Sequence, residues 1–598
     1  MSASSVLDVM AVRATGDPAQ AVVRVPADVS VAERIDGDVL VVGGGTGGVA
    51  AALAAARAMA AGSARRRIVL LEETDWIGGQ LTAQGVSALD EHEHIERFGG
   101  TRSYYALREA VRDHYRRLSS VLAREAHPNP GHCWVTRLAF EPRVALDVLR
   151  AMAAPHVDAG RLRILTRTKA VRAETAGARI TAVLALHLDE RRWMRITPGL
   201  VIDATELGDL LPLAGADYVV GAEARAETGE PHAQPVEGKP QCVQSFTYTF
   251  VVENTGPGGT HTVPRPEKYE HYRAAQPYSL RIHVHGGEIY GEQTGWLEYQ
   301  VLAQAPGTKG GLWTYRRLID RDAFAGRYAH DISMINWPGN DYRDQSLLDR
   351  TPLEQAGALQ DAKRVSLGFL HWLQTEAPRP GAPPGFPEFR PHPMVFDTPD
   401  ALGKYPYIRE SRRIRALTTV IEQDVSVEHQ PGARARHLDD AIGIGWYPID
   451  IHSAGPEDVG VSCRTRPFQI PLGALVPVRV RNLLAGAKNL GTTHITNGCY
   501  RLHPVEWNTG EAAGALAAFA LETGRNPADI HADRELRREF QRRLVAQGVP
   551  LYWFVDVGVD DPRFPRLQLA AAAGDVTGVP DSLEAAALPP AVRGALGL

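Results

Sequence analysis

The chain is expected to fold as an α/β protein, and three observations predict it. A short apolar run, Asp38-Val39-Leu40-Val41-Val42, feeds directly into a glycine cluster, Gly43 to Gly48. An alanine-rich stretch from Val49 to about Ala61 follows, and a second apolar run, Ile68-Val69-Leu70-Leu71, ends in Glu72. Strand, tight turn, helix and strand in that order make the first half of a nucleotide-binding domain.

The glycine cluster fits G-x-G-x-x-G at Gly43, Gly45 and Gly48, with Thr46 and Gly47 between them. The first glycine turns the chain out of the strand, the second keeps a Cβ away from a pyrophosphate, and the third lets helix and sheet approach. The helix that follows points its free N–H groups at the turn, which favours a diphosphate there. Glu72 is an acceptor for ribose hydroxyls and repels a 2′-phosphate, so the ligand is expected to be a dinucleotide of the FAD or NAD type and not NADP.

With 598 residues, two or more domains are expected, some built from separated segments. The formal charge of −5 offers no broad cationic face, so nucleic acid is not an expected partner. Cys133, Cys242, Cys463 and Cys499 are scattered without a C-x-x-C pair, which argues against a zinc knuckle or disulfide scaffold and fits small buried thiols in a reducing cytoplasm. Residues 1 to about 35 lack the pattern of a signal peptide, and no window reaches the ~20 apolar residues of a membrane span. A cytoplasmic protein is the expectation.

After Glu72, Asp75-Trp76-Ile77-Gly78-Gly79-Gln80-Leu81-Thr82 forms a second glycine turn. Leu107, Val111, Leu118 and Leu122 recur at helical spacing within 101–124, and Pro142 suits the first turn of another helix. From Leu162 to Ile196 short alternating runs predict a β-meander. Leu200-Val201-Ile202-Asp203-Ala204-Thr205 is a further buried strand, followed by Glu206-Leu207-Gly208-Asp209.

At this point the chain resembles the FAD-dependent oxidoreductases with a glutathione-reductase-type FAD domain, and within them the family distantly related to the succinate dehydrogenase and fumarate reductase flavoprotein subunits. The resemblance runs from Asp38 to about Leu521 and implies a Rossmann-like FAD-binding domain assembled from separated segments, with an inserted α+β substrate domain. Such proteins usually carry Ala-Thr-Gly after this strand, whereas this chain has Ala204-Thr205-Glu206. The expected division is an extension (1–35), the first part of the FAD domain (36–215), a substrate domain (216–466), the closing FAD segment (467–525) and a helical, Ala/Pro-rich tail (526–598) that is peripheral.

The insert mixes strands, prolines and aromatics, with Pro/Gly-rich loops at 254–266 and 378–393. Thr351-Pro352-Leu353-Glu354 starts a helix whose stripe of Leu359, Ala362, Val365, Phe369 and Trp372 reads as core. Three phrases match the narrower family: Ile335-Asn336-Trp337-Pro338-Gly339-Asn340-Asp341, Arg409-Glu410-Ser411-Arg412-Arg413-Ile414 and Tyr447-Pro448-Ile449-Asp450-Ile451-His452. In the last, alternation puts Asp450 and His452 on one strand face. Leu483 to Gly491 is the last strand and turn, containing Gly486 and Asn489, and Asn508-Thr509-Gly510-Glu511-Ala512 is expected to open a long helix. The resemblance implies that this helix aims its amino end at the flavin pyrimidine ring, where helix N–H groups stabilise the charge of the reduced ring. It also implies cofactor contacts at Gly43, Gly45, Thr46, Gly47, Gly48, Glu72, Gly78, Gly79, Gln80, Ala204, Thr205, Gly486, Asn489, Gly510, Glu511 and Ala512, and brings the stretch from Thr493 to His503 near the ring.

Two other clusters are read as structural and no metal site is expected: His283-Val284-His285 with Glu288 as an amphipathic strand, and Glu91-His92-Glu93-His94 as a solvated loop. Arg65-Arg66-Arg67 is read as exposed charge. No second G-x-G-x-x-G lies between a strand and a helix, so electrons are expected to enter from the substrate and leave to oxygen, a quinone or a separate carrier, or to run in reverse from a reductase partner. The expected reaction is two-electron dehydrogenation of a small organic substrate. Asp450 and His452, or His494 and His503, are candidates for proton transfer, and Arg412 and Arg501 for holding an anion. A flavin monooxygenase, an enoate reductase of the fumarate reductase kind, and a protein that keeps FAD only as a scaffold are the alternatives.

Overall fold

The computed structural model describes residues 4–60, 67–287, 291–302, 310–455, 460–576 and 582–596, with only the backbone described for 284–287 and 291–294. In chain order, a hairpin of β1 (Ser4–Leu7) and β2 (Val22–Val25) precedes β3 (Glu33–Val42), α1 (Thr46–Ala60) and β4 (Ile68–Leu71). Helices α2 (Arg102–Leu118) and α3 (Pro142–Asp158) follow, then β5 (Leu162–Leu165), β6 (Thr168–Ala176), β7 (Arg179–His187) and β8 (Arg192–Asp203). Thr101 caps α2 by accepting from the Tyr104 N–H, and Pro142 occupies the first turn of α3.

The insert carries β9 (Phe250–Asn254), β10 (Arg317–Ile319), β11 (Asp331–Ile335), α4 (Pro352–Thr375), β12 (Phe389–Pro391), β13 (Ala441–Gly445), and the hairpin of β14 (Ile449–Ile451) with β15 (Val461–Cys463). The chain then runs through β16 (Phe468–Pro471), β17 (Leu483–Ala485), α5 (His494–Tyr500), α6 (His503–Thr523), α7 (Arg534–Ala546) and α8 (Phe564–Ala572).

Strands from front and back of the chain meet in one seven-stranded sheet of order β5-β4-β3-β8-β7-β6, with β17 on β8. Strand β8 serves two neighbours along the same edge. Its first half pairs antiparallel with β7, and its last residues pair parallel with β17 at Val201–Leu483 and Asp203–Ala485. On its other edge it runs parallel to β3, with Val42 opposite Asp203. The carboxyl ends of β4, β3, β8 and β17 therefore lie side by side, which is where an open parallel sheet binds its ligand. Val39 to Val42 are buried throughout, as expected of a strand covered on both faces.

Helix α6 lies against α1, backbone to backbone. A Cβ on Gly510 would land on the Gly47 carbonyl, and one on Gly514 on the Ala51 carbonyl. The alanines of both helices are what this approach demands.

Insert strands β10, β11, β9 and β12 form an antiparallel sheet in that order. Helix α4 begins with the expected capping box, in which Thr351 Oγ1 accepts from Glu354 N–H and the Glu354 carboxylate accepts from Thr351 N–H. Its side chains stitch the N-terminal extension to the insert: Gln360 donates to the carbonyls of Arg13 (3.1 Å) and Gly16 (3.0 Å), and Arg364 to that of Ala14 (2.9 Å).

Several expectations are corrected. The last long helix opens at His503, with Pro504 in its first turn, and not at Asn508. The tail is not peripheral throughout, because Leu551, Trp553, Phe554, Phe564 and Leu567 are buried and the Trp553 indole donates to the Phe468 carbonyl at 3.1 Å. Glu91-His92 is no solvated loop. Glu91 accepts from Arg108 at 2.9 Å, and His92 packs between Trp446 and Trp553. His283 sits on a strand with its ring edge-on to Trp296, while Glu288, Arg65 and Arg66 lie outside the described residues. Among the described residues no helix is long and apolar enough to cross a membrane.

Candidate active site

The turn between β3 and α1 needs glycine at its first position, since Gly43 has φ +97° and a Cβ there would strike Ala204. Thr46 Oγ1 donates to the Gly78 carbonyl at 2.9 Å, which docks the second glycine turn onto the first. Glu72 takes the Gly44 N–H on one carboxylate oxygen (2.8 Å) and the Thr74 N–H on the other (2.8 Å). Burial pushes its carboxyl up to about 8. Glu72, Gly43, Gly45, Gly79, Ala204 and Thr205 line one cavity. Gly47 abuts Gly486, Gly48 abuts Gly43, and Asn489 donates to the Asp203 carbonyl at 3.0 Å.

Glu206 stands in the same cavity, where the resembled proteins have glycine. Its Oε2 pairs with Lys488 Nζ at 2.5 Å, and Lys488 also meets Glu506 at 3.3 Å. Although burial opposes a charged amine, the two carboxylates hold the Lys488 ammonium above its ordinary range. Glu506 reaches the start of α1, accepting from Gly47 N–H at 3.4 Å, and accepts from Gln80 Nε2 at 2.5 Å. Gln80 Nε2 also donates to the Arg501 carbonyl at 3.2 Å. The glycine turns are thus wired through Lys488, Glu506 and Gln80 to Arg501, just before α6.

Arg501 opens a second group. It donates to the Tyr407 hydroxyl at 2.7 Å and to the Asp450 carboxylate at 3.1 Å. His452 lies between two acids, with Nδ1 2.7 Å from Asp341 and Nε2 3.5 Å from Asp450. Arg409 sits 3.1 Å from Asp341, and Thr247 donates its hydroxyl to the same carboxylate. Burial would raise both acids, but Arg409 and His452 hold Asp341, and His452 and Arg501 hold Asp450, below the usual carboxylate range. The three family phrases, far apart in sequence, supply Asp341, Arg409 and the pair Asp450 and His452. Asp341 and Arg409 lay in phrases already singled out, yet nothing in one sequence separates them from their polar neighbours.

A profile of the family described as FAD dependent oxidoreductase matches residues 38–544. The chain belongs to that family. No curated protein matches the chain in sequence. Among solved structures it is similar to the glycerol-3-phosphate dehydrogenase from Bacillus halodurans complexed with FAD (12% identity, 50% of this chain and 47% of that one, TM-score 0.25). Others are L-proline dehydrogenase from P. horikoshii (16%, 33% and 26%, TM-score 0.16) and adenylylsulfate reductase from the hyperthermophilic Archaeoglobus fulgidus (16%, 29% and 30%, TM-score 0.20). The match spans less than half of each of these three chains.

FAD is the cofactor of this oxidoreductase family member, and the residues fit it. A Cβ on Gly45 or Gly79 would come within 2.5 Å and 2.9 Å of Glu206 Oε1, and among the described residues this buried acceptor and the buried Gln80 and Gln84 carbonyl oxygens have no donor. Acceptors around a glycine cradle suit a ligand rich in hydroxyls, as the ribityl and ribose parts of FAD are.

The expected site residues divide accordingly. Gly43, Gly45, Thr46, Gly47, Gly48, Glu72, Gly78, Gly79, Gln80, Ala204, Thr205, Gly486 and Asn489 converge at the carboxyl ends of the parallel strands. Gly510, Glu511 and Ala512 lie inside α6 and not at its start. Gly510 is the α1 contact, and Glu511 pairs with Arg57 at 2.5 Å. Of the proton-transfer candidates, Asp450 and His452 come together. His503 is committed to the backbone, with Nδ1 accepting from Asp90 N–H at 3.0 Å and Nε2 facing the Val86 carbonyl at 2.9 Å. Burial pushes it down to about 4, so it stays neutral. His494 is buried against Glu410 at 2.9 Å; burial opposes its charge, yet that carboxylate raises it above the ordinary histidine range. Arg412 spends its guanidinium on Asp209 (3.2 Å), Asp349 (2.9 Å) and the Leu207 carbonyl, so the arginines beside the His452 group are Arg409, on Asp341, and Arg501, on Asp450.

Proposed function

We propose that this FAD-dependent oxidoreductase dehydrogenates a small organic substrate, with His452 as the base that takes the substrate's proton. The observation that carries this reading is the position of His452 between Asp341 and Asp450. FAD held at the glycine turns would supply two-electron, hydride-accepting chemistry.

Asp341, kept ionised beside Arg409, accepts from His452 Nδ1 and turns Nε2, the nitrogen proposed as the base, toward Asp450. A substrate proton would pass to Nε2, which Asp450 faces at 3.5 Å. Arg501 holds Asp450 through both its carboxylate and its carbonyl (2.9 Å), fixing the second acid in place. His452 is half-buried, which leaves part of its ring open to a substrate. The helix N-terminus at His503, directly after Arg501 and Leu502, adds N–H groups that favour negative charge in the same region.

Outside the seven-stranded sheet all described strand pairs are antiparallel, in keeping with the lack of a second glycine fingerprint for a nicotinamide dinucleotide. Oxygen, a quinone or a separate carrier would then reoxidise the enzyme. The test is anaerobic: a panel of small alcohols, amines and acids is mixed with the yellow protein, and bleaching of the flavin band without NAD(P)H is the expected result. Bleaching that depends on NAD(P)H, or flavin oxidation by an unsaturated acid with no substrate-driven bleaching, would replace the proposal with a monooxygenase or an enoate reductase.

A further inference from the structure

Away from the flavin-side groups, three side chains from three segments converge: His232 on the loop after 225–228, Glu422 at the start of a short helical turn, and Cys463 on β15. Their candidate ligand atoms all lie within 4.8 Å of one another. His232 Nδ1 is 2.7 Å from Glu422 Oε1 and 3.6 Å from Cys463 Sγ. Glu422 is buried, Cys463 half-buried and His232 exposed, so the group has a fixed floor and an open side.

We propose that His232, Glu422 and Cys463 bind one zinc-class divalent cation. One thiolate, one imidazole and one carboxylate form a borderline-soft donor set, which selects zinc or cobalt over calcium or magnesium. Zinc bonds of about 2.3 Å to sulfur and about 2.0 Å to nitrogen set those atoms roughly 3.6 Å apart in a tetrahedron, close to the Cys463 Sγ–His232 Nδ1 separation; Sγ also lies 3.8 Å from Nε2, so the His232 ring turns on binding to aim Nδ1 at the cation. The shorter His232–Glu422 separation is that of a hydrogen bond. Entry of the cation at Nδ1 moves the imidazole proton to Nε2, and the nitrogen and the Glu422 oxygen move apart by about half an ångström. The Cys463 thiol proton leaves as the sulfur–metal bond forms, so uptake releases a proton and involves no redox change.

A supporting layer is already built around the carboxylate. The backbone N–H of Glu422 donates to buried Glu230 at 2.8 Å, Thr493 donates to the same Glu230 oxygen at 2.6 Å, and the His232 N–H donates to the second oxygen of Glu422 at 3.2 Å. Cys463 pairs across the hairpin with Ile449, next to Asp450. A cation here would tie the 225–234 loop to the hairpin that carries Asp450 and His452, and a fourth position facing the open side would hold water.

The experiment uses the FAD-loaded full chain, stripped of metal with a chelator and then titrated with zinc chloride and with cobalt chloride. About one cation per chain is expected. The cobalt form should show a near-ultraviolet thiolate-to-cobalt band that disappears in Cys463→Ser, while the flavin absorbance of that variant is unchanged. His232→Ala should lower zinc occupancy from about one to near zero. Absence of the band in the wild type, its persistence in Cys463→Ser, or zinc uptake unaffected by His232→Ala would each overturn the proposal.

Discussion

His452 Nδ1 and Asp341 Oδ2 lie 2.7 Å apart although 111 residues separate them in the chain. The bond orients the ring so that its other nitrogen faces Asp450 and the half-open side of the site. His452→Ala is therefore expected to slow anaerobic flavin reduction by about 10²–10⁴-fold while FAD content stays unchanged. Stopped-flow absorbance measures it, and a wild-type rate would remove the base from this residue.

Asp341→Asn has a different expected signature. It leaves Arg409 buried beside an amide instead of a carboxylate, so it should cost about 3–5 kcal/mol of stability in addition to slowing reduction. Denaturant titration of wild type and variant reads the first effect independently of the second.

Lys488 stands between Glu206 and Glu506, all within the buried network next to α1. Lys488→Met should destabilise the protein by about 3–5 kcal/mol, because two carboxylates lose their counter-ion. Adding Glu206→Gln to that variant should restore part of the loss, and a double-mutant cycle on thermal unfolding gives the coupling.

The Gly510–Gly47 contact sets the distance between α6 and α1. Gly510→Ala is expected to cost about 1–3 kcal/mol and to lower FAD retention, since the displaced helix carries the glycine turn with it. Gly357→Ala, in α4 with open space around it, is the matched control and should stabilise by roughly 0.5–1 kcal/mol.

His92 and His503 are both buried, and burial pushes them down to about 3 and about 4. The unfolded chain, with histidines near 6.5, binds more protons than the folded one below that pH. The stability they contribute is whole above pH 6.5 and is lost as pH falls toward 4, at about 1.4 kcal/mol per pH unit for each residue. His92→Phe, which keeps an aromatic ring between Trp446 and Trp553, should shrink the difference in urea midpoint between pH 7 and pH 5. An unchanged difference would count against the assignment.

The dinucleotide end of this protein was legible in the amino-acid order because its determinants are local. Asp38 to Glu72 specify strand, turn, helix and strand through alternation of apolar runs and glycine, and the Thr351 cap and the face shared by Asp450 and His452 follow from the same short-range rules. The start of α6 was misplaced because Asn508-Thr509-Gly510 looks like a helix opening, whereas packing against α1 requires glycine in mid-helix there and the true start is set by Pro504. Tertiary structure alone decided which charged residues work together. Asp341 rather than any other acid meets His452, Arg409 rather than Arg412 stands beside it, and His503 is spent on backbone groups. Those choices depend on which side chains end up buried within 3 Å or so of each other, and a buried charge is stable only with a partner. No spacing along a single chain encodes that pairing.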